Sequence, residues 1–212
     1  MLDINIVVSL LKKKYPHPKI ALKSKNHLEL LVATILSAQC TDTRVNIVTD
    51  RLFKRYQDAK DYARADLKIF EQEIRSTGFY HNKAKNIIAS ADMIVKKFRG
   101  RVPNTMEDLL ELPGVARKTA NVVIYSAFNK NEGIAVDTHV LRVTQRLGLT
   151  KNTTPEKIEA DLMAKLTTKE WGDFSLRVIL HGRETCQEKK PECLECIFQG
   201  LCPSKKLFYP HN

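Results

Sequence analysis

Three groups of residues have the types and spacings that chemistry requires. The first is Lys118 in the stretch LPGVARKTAN, where Pro113 and Gly114 break one helical segment and a second begins near Arg117. A turn that runs into a helix leaves backbone N–H groups unpaired at the positive end of the helix dipole, which favours an anion. Gly114, Val115, Ala116 and Arg117 are thus expected to receive a phosphate, a contact that reads no base sequence. Lys118 either adds to that contact or acts as a nucleophile. The dipole and the adjacent Arg117 both disfavour a second positive charge, which favours the neutral amine. The second group is Asp137 in AVDTHVLRV, placed either only to cap a helix opening at Thr138 or also to act as the carboxylate beside a nucleophile.

The third group is a set of cysteines. Cys186, Cys193, Cys196 and Cys202 fall in the run CQEKKPECLECIFQGLC, where one short loop can converge four thiolates on a single metal centre. The spacing suits zinc or an iron–sulfur cluster, since both accept four thiolates. Two disulfides are the weaker reading for a chain with no export signal. Cys40, at the end of an apolar stretch, is expected to be a small buried side chain. Arg183, Lys189 and Lys190 make the cysteine loop either a phosphate-facing surface or a solvated one.

The segments that must position these residues are helical in pattern almost throughout. Ala84, Ile87, Ile88, Ala91, Ile94, Val95 and Phe98 fall on one face before Gly100. Val45, Val48, Leu52 and Tyr56 form another stripe, and Leu67, Phe70 and Ile74 a third. His27 to Ser37 is apolar on nearly every side, which suits a central buried helix. Thr105 with Asp108 resembles a capping box for a helix reaching Leu112, Thr154 and Pro155 mark another start, and Asp173 is expected to cap one more. No segment alternates with period two, so the chain is expected to be all-α, with roughly ten helices and short loops.

The chain of 212 residues carries 35 Lys and Arg against 24 Asp and Glu, a formal net charge of +11. That excess is spread along the sequence and points to a polyanionic partner. No apolar stretch reaches the length of a membrane span, and MLDINIVVSLLKKKYP lacks the form of a secretory signal. A cytoplasmic monomer without membrane contact is the expectation.

Taken in order, LLVATILSAQCTDTRVN, GFYHNKAKNI, LPGVARKTANVV, AVDTHVLRV and LHGRETC with its cysteine loop resemble the endonuclease III family of helix-hairpin-helix DNA glycosylases. The resemblance covers nearly the whole chain. It implies a two-lobed all-α fold with a DNA cleft between the lobes. One lobe would be a six-helix barrel over 21–130 carrying the hairpin at about 108–128, and the other a cluster lobe of 1–20 with 131–212. It implies a four-iron four-sulfur cluster on Cys186, Cys193, Cys196 and Cys202, chiefly structural and DNA-binding. Lys118 would be the Schiff-base nucleophile and Asp137 the catalytic carboxylate, with Gln39 filling the space a base leaves and Phe79 acting as the wedge opposite.

The implied activity is removal of oxidised pyrimidines from duplex DNA, followed by β-elimination at the abasic site. A thymine or uracil mismatch glycosylase and a non-catalytic DNA-binding protein are the alternatives. Two positions depart from the family pattern. Phe79 stands where an aliphatic residue is usual, and Ala116 replaces the second glycine of LPGVG. A methyl group at 116 is expected to hold a phosphate farther away, or to strain the backbone if a positive φ is needed there.

Overall fold

The computed structural model describes residues 2–210. Among them the chain forms twelve α-helices, two short 3-10 turns and no strand. In chain order the helices are α1 (Ile4–Lys14), α2 (His27–Leu36), α3 (Asp42–Arg55), α4 (Ala59–Ala63), α5 (Leu67–Ile74) and α6 (Tyr80–Lys96). The remainder are α7 (Met106–Leu110), α8 (Arg117–Phe128), α9 (Thr138–Arg146), α10 (Pro155–Met163), α11 (Trp171–Glu184) and α12 (Lys205–Phe208). The 3-10 turns are Arg75–Thr77 and Thr168–Glu170. None of the helices is long and apolar enough to cross a membrane.

The described chain divides into two compact units, one of Ile20–Glu132 and one of the segments up to Lys19 and from Gly133 onward. In the first, α2 is the central element. Every residue from Leu30 to Leu36 is buried, as its all-round apolar sequence predicts, and α3, α6 and α8 pack on it. The stripes read from the sequence face this core: Val45, Val48 and Leu52 on α3, Phe70 and Ile74 on α5, and Ala84, Ile87, Ala91 and Ile94 on α6. Tyr56, Tyr62 and Phe70 stack as an aromatic group with centroids 5.0 to 5.9 Å apart. Burial, then the hydrogen bond to Glu73, pushes the Tyr56 hydroxyl up to about 12.

The second unit packs α1, α9, α10 and α11 around Val7, Leu11, Val140, Phe174, Val178 and Phe198. Its hub is Arg177, 5% exposed, whose Nε donates to the Tyr15 carbonyl at 3.0 Å while its terminal nitrogen meets Asp173 at 2.7 Å. That pairing corrects the expectation that Asp173 caps a helix. Because the 3-10 turn Thr168–Glu170 runs directly into α11, Asp173 lies inside the first turn and pairs with Arg177 four residues on.

Two smaller expectations also change. The helix after Thr105 ends at Leu110 rather than Leu112, since the chain turns from Glu111 onward, and Thr105 still accepts from Asp108 N–H at 3.3 Å. Cys40 lies half-buried in the α2–α3 connection, four residues past the end of α2, and not on a helix. The aromatic group gives the fold a direct test. Phe70 is fully buried, so Phe70→Ala should cost about 3–5 kcal/mol through lost burial and a cavity. Thermal melting should show a correspondingly lower midpoint.

Candidate active site and metal centre

The hairpin is built from a short helix, a tight turn and α8. Val115 N–H closes the turn onto the Leu112 carbonyl at 3.0 Å, and the buried side chains of Leu112 and Val115 anchor both arms. From α6, Ser90 Oγ donates to the Pro113 carbonyl at 2.7 Å, and Asn86 stands directly behind Gly114. Gly114 has φ +79, and a Cβ built on it would lie 2.8 Å from Asn86 Cβ. Only glycine meets both constraints.

Ala116 is the N-cap of α8, with φ −89 and ψ 169. This is extended backbone open to any residue, so the strain considered for Ala116 does not arise; the position that needs positive φ is Gly114. Ala116 also supplies no side-chain cap to α8. A helix of 12 residues therefore begins without a cap from the side chain before it, and the positive end of its dipole favours an incoming anion. Arg117 and Lys118 are exposed in the first turn.

Gln39 and Phe79 belong to the same unit as the hairpin. Gln39 is exposed in the α2–α3 connection with φ 52, and Phe79 is 65% exposed at the N-cap of α6 with φ 48. Two of the four non-glycine residues with left-handed backbone among the described residues are thus the two that the sequence nominated. Such conformations cost about 1–3 kcal/mol each and concentrate at functional positions.

Asp137 and the four cysteines belong to the other unit. Asp137 caps α9, its Oδ1 accepting from His139 N–H and Val140 N–H, each at 2.8 Å, while Oδ2 stays outside the cap. Burial holds the following His139 below the usual imidazole range, with the Asp137 charge pulling in the other direction.

Cys186, Cys193, Cys196 and Cys202 all line one cavity, together with Arg146 and His181. None of the five cysteines is disulfide-bonded. Among the described residues no three His, Cys, Asp or Glu side chains are arranged to hold a single ion. Four thiols around a shared void are a donor set that suits a thiolate-ligated metal centre. The surroundings fit a negatively charged centre. Phe198 N–H donates to Cys196 Sγ at 3.4 Å and Arg146 donates to Cys186 Sγ at 3.4 Å, with His181 Nε2 3.6 Å from Cys196 Sγ. Burial pushes the Cys196 thiol up to about 11 and raises Cys193 and Cys202, so these thiols stay protonated until a metal replaces the protons.

Arg142 and Arg146, which the sequence pattern did not single out, tie the loop to α9. Arg142 donates to the carbonyls of Cys186 and Gly182 at 3.1 and 2.9 Å. Arg146 donates to those of Gln187 and Glu188, both at 2.7 Å, and lies 4.5 Å from the Phe208 ring. Their spacing of four residues along one helix face was the signal available.

A helix-hairpin-helix with an uncapped second helix, in an all-α chain closed by a four-cysteine loop, defines a class. The chain belongs to the HhH-GPD superfamily of base excision DNA repair proteins, whose family model matches residues 32–167. Within that superfamily, several relatives at 37–54% identity carry one name. The chain is 54% identical to a protein named endonuclease III from Synechocystis over 93% of this chain and 90% of that one. It is 41% identical to the protein in a solved non-covalent endonuclease III–DNA complex, with a TM-score of 0.94 over 98% of this chain and 97% of the other. A trapped endonuclease III–DNA covalent intermediate is 42% identical, with a TM-score of 0.92 and 96% coverage of each chain. The chain is therefore a member of the endonuclease III family.

Gly114→Ala tests the hairpin geometry. Positive φ and the close approach to Asn86 should together cost about 2 kcal/mol or more. A melting curve indistinguishable from the parent protein would contradict this account of the turn.

Proposed function

We propose that the chain excises damaged bases, oxidised pyrimidines in particular, from duplex DNA and then cleaves the strand 3′ to the abasic sugar by β-elimination. The observation that carries this reading is the covalent DNA intermediate trapped with a relative of the same fold, matched here by an exposed lysine in the first turn of the hairpin's second helix. The relatives named endonuclease III favour it over a mismatch glycosylase or a non-catalytic DNA-binding protein.

In this reading the backbone of Gly114 to Arg117 receives a DNA phosphate. The damaged nucleotide leaves the stack, Gln39 fills the gap and Phe79 wedges the opposite strand. The neutral Lys118 amine attacks C1′ of the sugar. The base departs with the C–N bond electrons and takes up a proton, and the sugar ring opens to an imine on Lys118. Asp137 accepts the amine proton and stabilises the positive charge that develops on the sugar. Loss of a proton from C2′ then expels the 3′ phosphate. Cys186, Cys193, Cys196 and Cys202 would hold a four-iron four-sulfur cluster that, when bound, supplies folding energy to the loop. A monomer acting on DNA in the cytoplasm, on the nucleoid if the source is prokaryotic, fits this substrate.

Asp137→Asn separates the two roles of that residue. Asparagine caps a helix about as well as aspartate, so stability should hold while excision falls by about 10²-fold or more. Loss of stability with excision intact would leave Asp137 as a cap only. Borohydride should link the protein to abasic-site DNA, and Lys118→Ala should abolish the link; a parent protein that never traps would overturn the lyase. The purified protein should be brown, and Cys202→Ser should lose the visible charge-transfer absorbance that zinc could not give. Ala116→Gly should bind non-specific duplex more tightly at matched salt, because a methyl group beside the docked phosphate is removed. Affinity of both forms should fall steeply with salt.

A further inference from the structure

Lys83 takes part in none of the steps above, yet it is 5% exposed and two of its three ammonium N–H groups are committed to main-chain carbonyls. Its Nζ donates to the Leu36 carbonyl and to the Thr77 carbonyl, each at 2.8 Å. Burial lowers its affinity for the proton, so the two carbonyls hold a charge that the interior disfavours. Leu36 is the last residue of α2, and Thr77 is the last residue of the 3-10 turn Arg75–Thr77. Both carbonyls are therefore helix-end acceptors, at the negative ends of their local dipoles. One side chain satisfies both, across 47 residues of sequence in one case and six in the other.

The tie fixes the starting point of two unusual segments. Three residues past Leu36 stands Gln39, and two past Thr77 stands Phe79, both exposed and both in left-handed backbone. A loop free to move would relax such a conformation. The segments here start from carbonyls held to the same ammonium, and Thr77 is further fixed by its hydroxyl on the Ile74 carbonyl at 2.8 Å. A methionine would fill the volume without burying a charge. The lysine adds a fixed separation between the two loops.

We propose that Lys83 is a positioning residue that sets the spacing of Gln39 and Phe79, so that the two enter the duplex as one unit when a base is extruded. The proposal rests on the reading of Gln39 and Phe79 as residues that enter DNA. It requires Lys83 to matter where a stack must be opened and not where there is none.

The test compares two substrates. Single-turnover excision from a duplex with one oxidised pyrimidine, read alongside fluorescence of a neighbouring 2-aminopurine, reports extrusion. Borohydride trapping on a single-stranded abasic oligonucleotide reports the lysine chemistry alone. With Lys83→Met, extrusion and duplex excision should fall by about ten- to a hundredfold, the scale of a small misplacement, while single-strand trapping is retained. Equal losses on both substrates, or no loss on the duplex, would overturn the proposal. The paired variant Gln39→Ala/Phe79→Ala separates the two ideas. If it extrudes normally, the reading of these two residues fails. If it is slow, adding Lys83→Met should bring little further loss, and a full additional loss would overturn Lys83's role. Should Lys83→Met not melt cooperatively, Lys83→Gln, which keeps two N–H donors without the charge, is put through the same comparison and judged by the same outcomes.

Discussion

A fold made only of helices places its unpaired main-chain groups at helix ends, where the first N–H and last C=O groups have no partner within the helix. In this chain most N-termini are closed by side chains: Asp3, Asn26, Thr41, Asp58, Asp66, Thr105 and Asp137 each accept from the first turn they precede. Ala116 does not, and it stands at the hairpin. The helices α6, α10, α11 and α12 also start without a side-chain cap. In the proposed reading the α8 N-terminus takes an outside anion and Asp137 keeps one carboxylate oxygen outside its cap, while a buried ammonium closes two helical C-termini together.

Left-handed backbone arises from the same constraint. A helix end that must turn sharply takes a positive φ, and Gly78, Gly100, Gly114 and Gly148 do so without steric cost. Gln39 and Phe79 accept it with side chains that remain exposed, so the energy spent on their geometry is not recovered by burial of those side chains. The core of the same unit, with α2 enclosed and Tyr56, Tyr62 and Phe70 stacked, supplies the stability against which that cost is small.

In the other unit the governing term is charge rather than strain. The last part of the chain has only the four-residue α12 as regular structure and few apolar anchors beyond Phe198. Arg142 and Arg146 bind its carbonyls to α9, and the four thiols converge where burial disfavours thiolates. A metal cluster would reverse that preference by exchanging protons for a strongly bound cation centre. Because α9 begins at Thr138, directly after its cap Asp137, and ends at Arg146, whatever secures the cysteine loop also secures the helix that Asp137 caps.

Helical class, the central apolar helix, the hairpin turn and the cysteine set were legible in the residues themselves, because periodicity, Pro–Gly punctuation and ligand spacing are local signals. The family motifs extended this to Lys118 and Asp137. Local pattern misjudged Asp173, whose partner is four residues further along the helix, and left open whether Ala116 is strained, which its extended backbone excludes. It offered nothing to mark Lys83 or Arg177, which look like ordinary surface charges in sequence. Their partners are carbonyls of Leu36 and Tyr15, 47 and 162 residues away, and burial of a charge against a distant main chain is settled only when the helices pack.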